Sequence, residues 1–99
     1  MRISENDLKG MVLRYQQAIT KFTGEVPELE LNGGSKANGI SFRLYHLTRE
    51  NGVVTSKEPA WGTSHAIWSD GFLGWTKGEA YHTLKTSVLA IEAATAYMF

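Results

Sequence analysis

Apolar residues recur at helical spacing at the two ends of this chain, while glycines and turn dipeptides break up the stretch between them. Near the start, Leu8, Met11, Val12, Tyr15, Ala18, Ile19 and Phe22 follow one another at three- and four-residue steps. Lys9, Arg14, Gln16, Gln17 and Lys21 fall on the other side, the pattern of an amphipathic helix with one buried face. Ser4 suits its N-cap, Asp7 makes an acidic relative of the capping box, and Gly24 suits its C-terminal cap. Near the end, Thr76-Lys77-Gly78-Glu79 is a second capping box, opening a helix from Ala80 to about Met98. Its core stripe is predicted to be Ala80 or Tyr81, Leu84, Val88, Ile91, Thr95 and Met98.

The middle reads as strands. Glu28-Leu29-Glu30-Leu31 alternates, and Pro27 with the outward acids suits a solvated edge. From Ile40 to Leu47 the alternation is strongest, with Ile40, Phe42 and Leu44 on one face. That run leads to Asn51-Gly52, the preferred type I′ hairpin turn, so a second long strand should return from Val53. Pro59 and Gly62 predict a loop over residues 56–63, and His65-Ala66-Ile67-Trp68 predicts another strand before an Asp70-Gly71 turn. Trp68 and Trp75 are expected to complete the core against the last helix. The whole is one α+β domain over residues 1–99, in the order α-β-β-β-α with room for one further short strand. Both helices should pack on one face of a small antiparallel sheet.

At 99 residues, with 42% hydrophobic and 20% charged, the chain can build its core without staples. Having no cysteine, it can hold no disulfide, thiolate nucleophile or cysteine-bound zinc. Ten basic residues balance ten acidic ones, so no general field draws it to nucleic acid or anionic lipid. The opening residues lack the apolar core of a signal peptide. The apolar run over 88–99 contains Glu92 and falls short of the roughly 20 residues that cross a bilayer. A soluble, cytoplasmic protein is expected.

Catalytic chemistry finds little support. His46, His65 and His82 share no metal-ligand spacing, and Ser64-His65 with Asp70 does not make a nucleophile elbow. Gly33-Gly34-Ser35-Lys36 lacks the spacing of a phosphate-binding loop. No enzymatic activity, metal or cofactor is expected. Two features point to binding instead. Trp61, between Pro59 and Gly62 and near His65, sits where a large aromatic serves as a contact anchor. From Thr86 to Phe99 the last helix has Glu92 as its only charge, and Leu89, Ala93, Ala96 and Phe99 lie off its core stripe. A helix apolar nearly all round is buried or partnered. The expectation is a protein-binding module, homodimeric through this helix, that presents Trp61 and His65 to its partner.

The order of elements resembles that of double-stranded-RNA-binding domains, and Gly74 to Ala80 resembles the start of their last helix. That resemblance implies the alternative of nucleic-acid binding, with Lys36, Arg43, Arg49, Lys57 and Lys77 on the phosphates. Against it, Lys77 stands alone, with Gly78 and Tyr81 where basic residues would be wanted. The two ends also resemble small proteins of tailed bacteriophages, through Met1-Arg2-Ile3-Ser4 and Thr76-Lys77-Gly78-Glu79-Ala80-Tyr81. The chain departs from them at Gly78 and in its longer, tryptophan-rich middle. This second resemblance implies an accessory protein that binds a host or phage protein in the infected cytoplasm.

Overall fold

A computed structural model of the chain describes residues 2–33, 41–59 and 72–98. The first helix, α1, spans Glu5–Thr23. Its cap is the reciprocal box expected. The Asp7 amide donates to Ser4 Oγ at 3.1 Å, and the Ser4 amide donates to the Asp7 carboxylate at 2.9 Å. These bonds favour the ionised form and hold the Asp7 carboxyl below the ordinary carboxylate range. Gly24 ends the helix in the left-handed region, its amide donating to the Thr20 carbonyl.

Strand β1 covers Glu28–Asn32, β2 Phe42–Glu50, β3 Val53–Pro59 and β4 Phe72–Gly74. All pairings are antiparallel. β2 is central, with β1 on one side, while β3 and then β4 share its other side. The β2–β3 turn is the expected one, since Asn51 and Gly52 both take positive φ, at 53° and 81°. The second helix, α2, covers Lys77–Met98. Among the described residues the order is therefore α-β-β-β-β-α, an α+β fold whose last strand is Phe72–Gly74. The strand expected at His65–Trp68 and the Asp70-Gly71 turn lie outside the described residues.

Both helices cover the same face of the sheet. Leu8, Met11, Tyr15, Ala18 and Ile19 of α1 join Ala80, Leu84, Val88 and Ile91 of α2 in one cluster with Phe42, Leu44 and Leu73. Thr95 is buried too, with its hydroxyl satisfied by the Ile91 carbonyl at 2.8 Å. Burial also pushes the Tyr15 phenol up from its ordinary range. Thr83 Oγ1 donates to the Leu73 carbonyl at 2.7 Å, tying α2 to β4. Arg14 meets Glu92 at 3.0 Å, and Ala18 shares a groove with Thr95 and Ala96, so the two helices run in the same direction.

Trp75 corrects an expectation. It is 62% exposed, and Leu73 takes the core position in its place. The ladder between β2 and β4 shifts register at Phe42/Arg43, which re-aims the side chains of this three-residue strand. Beyond the strand, Trp75 precedes the cap of α2, its amide bound to the Glu79 carboxylate at 2.8 Å. Thr76 Oγ1 accepts from the Glu79 amide at 3.1 Å, so the capping box is shared between Trp75 and Thr76.

Gly10 lies inside α1, where a Cβ would meet nothing within 4 Å. Glycine there forfeits helix propensity without any packing reason within the described residues. Gly10→Ala should raise stability by about 1 kcal/mol, read from the midpoint of chemical denaturation. An unchanged or lower midpoint would mean that this helix face needs glycine for a contact outside the fold.

Candidate interaction surface

Beyond Lys85 the outward side of α2 carries exposed apolar side chains. Leu89 is 50% exposed and Tyr97 96%. Ala93 lies between them, also exposed, and the four-residue steps place all three on one ridge. Ala96 borders that ridge and lines a groove of about 580 Å³ between the helices. Arg14 and Glu92 bridge this groove, with Lys21 at its rim. Of the residues expected here, Leu89 and Ala93 do share an exposed face, while Phe99 lies outside the described residues. Tyr97 was missed by the sequence reading, although its four-residue step from Ala93 puts it on the same line.

Among the described residues no helix covers the other side of the sheet. Alternation from Phe42 and Leu44, which are buried, turns Arg43, Tyr45 and Leu47 to this open face. Phe72 pairs with Arg43 in the ladder, and its ring meets Trp75 edge-on at 5.4 Å between centroids. The exposed Trp75 is thus a surface aromatic, which the sequence reading had assigned to the core.

Of the five cations proposed for nucleic acid, Arg43, Arg49 and Lys57 lie on this open face, spread along β2 and β3. Glutamates of β1 hold two of them. Arg49 Nε binds the Glu28 carboxylate at 2.7 Å, and Lys57 Nζ binds Glu30 at 3.0 Å while lying 4.8 Å from the centre of the Tyr45 ring. Glu28 and Glu30 therefore reach across the sheet to these partners instead of simply solvating the β1 edge. Lys77 stands apart at the start of α2. Lys36 lies outside the described residues, as do Trp61 and His65.

His46 and His82 are exposed, on β2 and α2 respectively. Among the described residues no group of three His, Asp or Glu side chains is placed to hold a metal ion. Among them, too, no helix is long and apolar enough to cross a membrane. Comparison with protein-family models, with curated proteins and with solved structures found no match.

Proposed function

We propose that this protein is a non-enzymatic interaction module that self-associates through the outward face of α2. The observation that carries the reading is the exposed ridge of Leu89, Ala93 and Tyr97 on a helix whose other side is fully committed to the core. Water gains from the removal of such a surface, and a second copy supplies a matching one. With a two-fold axis near Ala93 and the helices antiparallel, Leu89 of each copy meets Tyr97 of the other, because both lie four residues from Ala93. The small alanine lets the two ridges approach closely. A net charge of zero leaves no overall repulsion between copies.

One helix face is a small interface, so a dissociation constant of about micromolar is expected. Glu at Leu89 and Ala93 would have to be buried unpaired in that dimer. The double variant L89E/A93E should sediment as monomer at concentrations where the unmodified protein is dimeric. Its circular dichroism should be unchanged, because both positions face solvent in the monomer. A variant that stays dimeric would place the interface elsewhere.

The finer reading is an accessory protein of a tailed bacteriophage, acting in the host cytoplasm on a host or phage protein. It rests on the resemblance at the two ends of the chain. Nucleic-acid binding is the weaker alternative, since Glu28 and Glu30 already neutralise two of the three cations on the open sheet face.

A further inference from the structure

A second concavity lies on the opposite side of α1 from the groove it shares with α2. It has a volume of about 180 Å³ and is closed in by Tyr15, Ile19, Pro27 and Leu29, with Glu25 and His46 among the residues around it. Three local features shape it. Gly24 turns the chain out of α1 in the left-handed region, which starts the segment 25–27 back across the end of the helix. Gln16 Nε2 then donates to the Pro27 carbonyl at 2.7 Å and fastens that segment to the helix. The Glu25 amide donates to Thr23 Oγ1 at 3.2 Å, which fixes the backbone that carries the Glu25 side chain. The walls are therefore set before any ligand arrives.

Among the described residues, carboxylates flank this site. Glu25 lies beside it, and Glu58 stands directly opposite His46 in the β2–β3 ladder, on the same face of the sheet. Neither carboxylate has a cationic partner among the described residues. Thr23, the last residue of α1, also lines the cavity, so the negative end of the helix dipole adds to the field. Three described cations of the neighbouring segments are directed elsewhere. Lys21 lines the groove toward α2, while Arg49 and Lys57 are held by Glu28 and Glu30 on the far side of the sheet.

We propose that this cavity binds an organic ammonium ion with a compact apolar body, either a free amine or a lysine side chain of another protein. The body would displace water from the apolar walls, and the ammonium would sit at the rim beside Glu25, with Glu58 adding to the field from beyond His46. A carboxylate of the same shape would be repelled by both glutamates.

The test is a ¹⁵N NMR titration of the full chain with 2-phenylethylammonium, its anionic counterpart phenylacetate, and N-acetyl-lysine methylamide. The cation should give saturable shifts centred on Leu29, Val26 and His46, with an affinity of about millimolar for so few atoms. Phenylacetate should give none. Glu25→Lys, at an exposed position, should weaken 2-phenylethylammonium roughly tenfold while leaving the spectrum of the free protein folded. Tighter binding of the lysine probe than of 2-phenylethylammonium would assign the site to a protein side chain, and the reverse order to a free amine. Equal binding of the cation and the anion, shifts that never saturate, or indifference to Glu25→Lys would each overturn the proposal. None of these outcomes depends on dimerisation, because the cavity and the Leu89 ridge lie on different surfaces.

Discussion

Leu73→Ala is expected to destabilise the fold by about 3 kcal/mol, while Trp75→Ala, at a far larger side chain two residues on, should lose only about 1 kcal/mol. Leu73 is 2% exposed and sits in the cluster shared by both helices and the sheet. Its truncation removes transferred apolar surface and leaves a cavity that the well-packed neighbours cannot fill. Trp75 is 62% exposed, and its described ring contact is the edge of Phe72. Chemical denaturation of the two single variants checks the contrast. A Trp75→Ala loss matching or exceeding that of Leu73→Ala would return the tryptophan to the core and overturn the register shift in β4.

The second large effect falls at Gly74. A Cβ built there would come within 2.5 Å of the Glu79 Cβ and 2.9 Å of the Ala80 backbone nitrogen. Contacts that short do not occur between real atoms, and one of the two is backbone. Gly74→Ala must therefore push the first turn of α2 away from β4. It would also strain the bond from the Trp75 amide to Glu79 and that from Thr83 to the Leu73 carbonyl. A loss of about 2 kcal/mol is expected in thermal or chemical denaturation, the scale of overpacking at a tight contact. Its sign is opposite to that of Gly10→Ala, where the added methyl meets open space. A neutral Gly74→Ala would show that α2 does not start so close to the sheet.

How much of this was legible in the sequence follows from what each element needs. The two helices announce themselves because capping and the 3.6-residue period are local, as at Ser4 with Asp7 and at Thr76 with Glu79. The hairpin was legible for the same reason, since Asn51-Gly52 encodes its own turn. Strand β4 was not, because three residues are too short to show a period and its side-chain directions depend on a bulge against β2. Trp75 was misplaced with it.

The pairing of Glu28 with Arg49 and Glu30 with Lys57 needed the register of strands far apart in sequence. Without that register, the two acids read as edge solvation and the cations as free for phosphate. The apolar ridge on α2 was legible at Leu89 and Ala93, because from Thr86 onward Glu92 is the helix's only charge and these two positions fall off its core stripe. The cavity beside His46 was not, since its walls come from α1, the segment 25–27, β1 and β2, which only the tertiary fold brings together.

The central claim is that the α2 ridge joins two copies of this chain. Light scattering behind size exclusion, at roughly tens of micromolar so that a micromolar dimer is populated, tests it most directly. The account predicts a mass of about twice the 11.0 kDa chain, falling toward the single-chain value on dilution. A mass of one chain at every concentration would contradict it.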